Sequence, residues 1–122
     1  MIELERADAR ERAVMVGAPT PEVSPAVAEE HLEELVRLAD TAGAEVVGSL
    51  IQRLQSPHPK FFIGSGKVDE LRELIESRGA ELVLFDDELT PAQGKNLEDA
   101  LKVRVMDRTE LILDIFATRA RS

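Results

Sequence analysis

The residues of this chain best placed to do chemistry are Gly64-Ser65-Gly66-Lys67, a glycine–lysine turn between an apolar segment and a helical pattern. Free backbone N–H groups at a helix start attract anions, so the turn is a candidate phosphate site for a nucleotide such as ATP. A triphosphate loop of the form G-x-x-x-x-G-K-[ST] needs glycine at 61 and Ser or Thr at 68. The chain has Phe61 and Val68 there. Without the hydroxyl there is no magnesium ligand, and without the first glycine the backbone cannot wrap phosphates in that way. A dinucleotide fingerprint starting at Gly64 also fails, because its third glycine falls on Asp69. The plain alternative is a glycine turn that starts a helix.

A second candidate is the acidic turn Asp86-Asp87-Glu88, at the end of an apolar strand. Ligands of open α/β sheets bind at such ends, and carboxylates there could hold magnesium. A phospho-receiver arrangement would place its acidic pair after the first strand, where this chain has Val16-Gly17-Ala18. A solvated strand–helix connection accounts for the turn. His31 stands among glutamates and His58 between two prolines, neither with partners at metal-ligand spacing. No serine sits in a G-x-S-x-G elbow, so the sequence offers no catalytic residue and no metal set. Lys95, Lys102, Arg104, Arg108, Arg119 and Arg121 fall in the final third and are candidates for contact with phosphates or an RNA–protein surface.

Composition narrows the function classes. The 122 residues suffice for one domain with its own core. Net charge is −9, with 4 basic and 11 acidic side chains in residues 1–50 against 11 and 13 in residues 51–122. So acidic a chain is a poor non-specific binder of nucleic acid, although the balanced second half leaves room for a local contact. The absence of cysteine excludes disulfides, a zinc finger and a thiol nucleophile. No 18-residue apolar run occurs, and Met1-Ile2-Glu3-Leu4-Glu5-Arg6 is too charged for a signal peptide, so a cytoplasmic home without membrane contact is expected.

Four apolar strands alternate with four helical patterns. The strands are expected over 13–16, 45–51, 81–85 and 103–106. The first helix follows Ser24-Pro25, with Leu32, Leu35, Val36 and Ala39 on its buried face, and ends at Gly43. The second buries Val68, Leu71, Leu74 and Ile75 and ends at Gly79. The third opens on a capping box, Thr90-Pro91-Ala92-Gln93, and the fourth repeats that logic with Asp107 and Glu110. Helix-length crossovers predict an α/β fold, a small four-stranded, mainly parallel sheet with helices on both faces in βαβαβαβα order. Residues 1–11 are expected to be a flexible lead and 12–122 the domain. The four phenylalanines read as core. Leu111, Ile112, Leu113, Ile115 and Phe116 are apolar around most of the last helix, which is therefore either deeply buried or built to meet another surface.

Three segments carry a family resemblance. Phe62-Ile63-Gly64-Ser65-Gly66-Lys67-Val68-Asp69-Glu70-Leu71 is similar to the glycine–lysine block of HflX GTPases, of the OBG–HflX group. Asp87-Glu88-Leu89-Thr90-Pro91-Ala92-Gln93 with Asn96-Leu97-Glu98 resembles their D-E-L-[ST]-P-x-Q-x-x-N-L-E stretch. The run from Val105 to Ala120 resembles their most distinctive segment, and the match covers about residues 12 to 121. The resemblance implies an amino-terminal α/β domain followed in the parent by a helical hairpin and a GTPase domain. GTP and magnesium would bind in that missing G domain, because this chain has no G-x-x-x-x-G-K-[ST], no D-x-x-G and no N-K-x-D. It further implies association with the large ribosomal subunit, through rRNA or protein, and the splitting of stalled ribosomes. Leu111, Ile112, Ile115 and Phe116 would then face the hairpin and GTPase domain, or join two copies of the fragment into a dimer.

Overall fold

A computed structural model describes residues 10–120. Its elements run β1 (Glu11–Gly17), α1 (Pro25–Thr41), β2 (Ala44–Ile51), α2 (Ser65–Arg78), β3 (Leu82–Phe85), α3 (Pro91–Leu101), β4 (Arg104–Asp107) and α4 (Arg108–Ala120). The strands form one sheet in the order β2-β1-β3-β4, every neighbouring pair parallel.

Alternation along the strands divides the core between the two faces. Val14, Val16, Val83, Phe85 and Val105 meet Val68, Leu71 and Ile75 of α2 and Leu97 and Leu101 of α3. Ala13, Leu82, Leu84 and Met106 meet Leu35 and Ala39 of α1 and Leu111 of α4. Each face of the sheet therefore carries two helices. Val36, expected on the buried face of α1, is exposed, because Leu32, Leu35 and Ala39 complete that face without it.

The helix ends follow the local chemistry. Ser24 accepts the Val27 N–H, and Gly79 ends α2 in the left-handed region at φ 60°. Thr90 and Gln93 form a reciprocal box, as do Asp107 and Glu110 at 2.9 and 3.2 Å. Residues 1–9 of the expected flexible lead lie outside the described residues. Arg10 and Glu11 already belong to the fold, since Arg10 Nη2 reaches Asp40 Oδ1 at 2.7 Å and Glu11 opens β1.

Side chains bond to the backbone of both edge strands. The β1–β2 register slips between Ala13 and Val14, leaving Val47 as the extra residue of a bulge, and Arg78 donates to its carbonyl. On β4 the N–H groups of Val105 and Asp107 donate to Glu98 and Glu110.

The last helix is buried along one stripe only. Leu111 is 2% exposed and Ile112 and Ile115 are half-buried, while Leu113 and Phe116 are 61% and 67% exposed. Of the two expectations, deep burial is overturned, and Phe116 is not core. Leu111 is committed to the fold and cannot face a partner. Phe62 and Phe85 are core residues in edge-to-face contact, with ring centroids 6.2 Å apart.

Leu84→Ala, which empties a fully buried site on the central pair of strands, is expected to cost about 2–5 kcal/mol in urea unfolding. Leu113→Ala should change stability by less than about 0.5 kcal/mol.

Candidate functional site

All four helices start at the carboxyl ends of strands, so the chemically suggestive segments gather at one end of the sheet. The loop before α2 closes on itself. His58 and Phe62 exchange two backbone hydrogen bonds of 2.9 Å, and Phe62 takes a left-handed φ of 67° to make the turn. A buried phenylalanine in that region is strained by roughly 1–2 kcal/mol, which the surrounding packing must hold.

Side chains from elsewhere fix this loop. Gln93 Nε2 donates to the His58 carbonyl at 3.0 Å while Gln93 Oε1 accepts the Thr90 N–H at 2.9 Å. Asn96 Nδ2 donates to the Lys60 carbonyl at 3.0 Å. Gln52, just beyond β2, accepts the Gly64 N–H at 3.0 Å. The glycine–lysine block and the Thr-Pro-x-Gln block are thus two halves of one lock. Sequence reasoning found the Gln93 cap but missed its second bond, and missed Gln52 and Asn96 as anchors. The signal was present in the Gln93–Asn96 spacing, which places both amides toward the same side of a helix.

Gly64, Ser65, Gly66 and Lys67 do open a helix. The Gly64 N–H is spent on Gln52, and Lys67 pairs with Glu70 at 2.7 Å. Phe61 is half-buried beneath Lys60, and Val68 is in the core. The places where a triphosphate loop needs a glycine and a magnesium-binding hydroxyl are therefore filled by apolar packing, and these residues do not fit GTP with magnesium.

A crevice of about 130 Å³ opens between the ends of β1 and β3, lined by Gly17, Ala18, Thr20, His31, Leu32 and Asp87. The chain leaves β1 and β3 in opposite directions there, which is the switch point where doubly wound sheets hold ligands. Beyond it lies an acidic hollow bordered by Glu34, Asp86, Glu88 and Arg108. Arg108 forks onto Asp86, reaches Glu34 at 2.6 Å and donates to the His31 carbonyl at 2.7 Å, tying α4 and β3 to α1. Burial pushes the Asp87 carboxyl up, and the neighbouring Asp86 charge adds to this; the Ala18 N–H, His31 and Arg108 oppose it. The carboxylates around this hollow disfavour phosphate there. Among the described residues no group of three or more His, Cys, Asp or Glu is placed to hold a metal ion.

The basic candidates are dispersed. Arg104 and Arg108 stand at opposite ends of β4, about 13 Å apart at ~3.3 Å per residue. Arg108 is consumed by its ion pairs, and Arg104 lies 3.7 Å from Glu11. Lys95 lies 3.7 Å from Asp99, and Lys102 is exposed at the end of α3. Arg119 belongs to α4 with its side chain outside the described residues, and Arg121 lies outside them altogether.

Two outcomes are expected. Gln93→Leu leaves the Thr90 N–H without its acceptor and removes one of the two donors to the His58 carbonyl, so it should cost on the order of 1–3 kcal/mol and speed amide exchange in residues 58–64. Asp87 binds its proton more tightly folded than unfolded, so the fold loses stability as pH rises from the ordinary value of 3.8 through the raised one. Asp87→Asn should therefore be more stable than the parent at neutral pH, the gap closing below about that ordinary value in pH-dependent urea titrations.

Comparison with known proteins completes the picture. A family model described as GTP-binding GTPase N-terminal matches residues 29–117. The GTPase HflX of Caldanaerobacter subterraneus subsp. tengcongensis is 51% identical over 118 residues, covering 97% of this chain and 27% of the relative. That of Escherichia coli (strain K12) is 44% identical over 97% of this chain and 27% of its own length. Among solved structures, the SsGBP–GDP complex superposes with a TM-score of 0.70 at 24% identity, over 92% of this chain and 30% of that one, a likeness of fold. The chain spans little more than a quarter of the curated relatives it matches. No described helix is long and apolar enough to cross a membrane. With its fold, its interlocked motifs and these matches in agreement, the chain belongs to the HflX family as its GTP-binding GTPase N-terminal domain.

Proposed function

We propose that this chain is the ribosome-docking and regulatory domain of a cytoplasmic HflX-type GTPase that splits stalled ribosomes. The observation that carries the reading is where the motif atoms go. Gly64 is bonded to Gln52, Gln93 to His58 and Thr90, and Asp107 to Leu89. Groups so engaged build a rigid platform and leave no cradle for a phosphate. GTP hydrolysis and magnesium binding then fall to the rest of the protein, outside the quarter of the relatives' length that this chain matches. The platform works mechanically. Its exposed Leu113 and Phe116, with half-buried Ile112 and Ile115, give the hairpin or GTPase domain an apolar seat. Lys95, Lys102 and Arg104, all exposed, are the cations offered to the large ribosomal subunit.

The test is co-sedimentation of ribosomes with the full-length protein and with a Lys95→Glu, Lys102→Glu, Arg104→Glu variant. Arg108 stays in place because its reversal would break the Asp86 and Glu34 pairs. The variant is expected to bind about tenfold or more weakly at low salt, with a shallower salt dependence. Unchanged binding removes these residues from the interface. Calorimetry of the chain with GTP and ATP should show no heat of binding; micromolar binding abolished by Lys67→Ala would favour a nucleotide module instead.

A further inference from the structure

The outer side of β4 holds a groove whose acidic lining the docking role does not use. β4 has β3 as its single neighbour, so its other edge is unpaired. Val105 and Asp107, two residues apart and therefore facing the same side, donate their N–H groups to Glu98 Oε2 at 3.1 Å and Glu110 Oε1 at 3.2 Å. α3 rises on one side of this edge and the first turn of α4 on the other. The groove between them, about 500 Å³, runs from Leu89 and Pro91 past Gly94 to Glu98, Val105 and Glu110.

Gly94 keeps this stretch of the groove clear of side chains. It sits inside α3, where glycine is a poorer choice than alanine. A Cβ built there would meet nothing within 4 Å, so packing within the chain gives no reason for it. Gly94 lines the groove, and a side chain there would intrude into it.

Charge decides what the occupant is. Glu88, Glu98 and Glu110 are exposed along the groove, and its lining cation, Lys95, leans toward Asp99. Each capping glutamate spends one oxygen on the strand and leaves its other for a cation. Because the edge N–H groups are already taken, a neutral or acidic strand gains little by pairing here. Nucleic acid meets like charge. We infer that this groove docks an extended segment of a partner protein bearing Lys and Arg, its backbone passing close over Gly94 and its cations resting on Glu98 and Glu110.

The test is amide NMR of the ¹⁵N-labelled chain titrated with a synthetic peptide of alternating Lys and Val, beside a Glu–Val control. Salt-sensitive shifts confined to the Gly94, Val105, Asp107 and Glu110 region are expected with the first peptide and none with the second. Glu98→Gln with Glu110→Gln keeps an amide oxygen for each strand N–H but removes the charges, and should weaken binding about tenfold or more. Gly94→Ala should raise the melting temperature yet weaken the peptide several-fold, separating a lost groove from a lost fold. Shifts spread over the acidic face of α1, equal binding of the Glu–Val peptide, or undiminished binding by either variant would overturn the inference.

Discussion

The burial of β3 on both sides is the constraint from which the rest of this molecule follows. Leu82, Val83, Leu84 and Phe85 are each at most 3% exposed, which four apolar residues in a row can achieve only if helices cover both faces of the sheet. Parallel strands supply those helices as crossovers. The crossovers in turn bring every strand end and helix start to one end of the domain. The segments around 58–67, 86–93 and 107–110 are distant in sequence, yet the topology leaves them as neighbours. Their polar groups satisfy one another: an amide spans two loops, a carboxylate caps a helix and holds a loop, and an arginine ties three elements.

Much of this was legible before any coordinates. Strand three declared itself by its unbroken apolar run, and the alternation of periods gave the parallel α/β class. The two capping boxes were readable because their donors and acceptors lie three residues apart. What stayed hidden depends on contacts across the chain. Val36 fits the helical stripe of α1 as well as Ala39 does, and only the actual position of α1 on the sheet leaves it outside. The second bond of Gln93 joins residues 35 apart; the Gln93–Asn96 spacing marks a shared helix face but not the loop that this face meets. Lys95, Lys102, Arg104 and Arg108 looked like one patch by proximity in sequence. β4 puts Arg108 at the opposite end from Arg104, where ion pairs with Asp86 and Glu34 consume it.

The family motifs have a physical meaning here that differs from their first appearance. A glycine–lysine turn at a helix start suggests phosphate chemistry. In this fold its first N–H is answered by Gln52, its lysine by Glu70, and the flanking Phe61 and Val68 by apolar neighbours. The acidic turn after β3 is likewise drawn into Arg108 and Ala18. Sequence signatures of a nucleotide-handling family can thus record the assembly of a scaffold.

The side-chain bonds to the two edge strands also set an order of events for the newly made chain. Arg78 lies beyond β2, and Glu110 lies beyond β4, so neither border can be closed until the helix that follows it has docked. The central pair, β1 and β3, joins residues 69 apart, as Ala13 with Leu82, with a loop-closure cost that precedes its reward. Through that interval the growing sheet has open borders on which another unfinished chain can add a strand. Aggregation of this domain is therefore a hazard of its synthesis, and ends when the last helix settles.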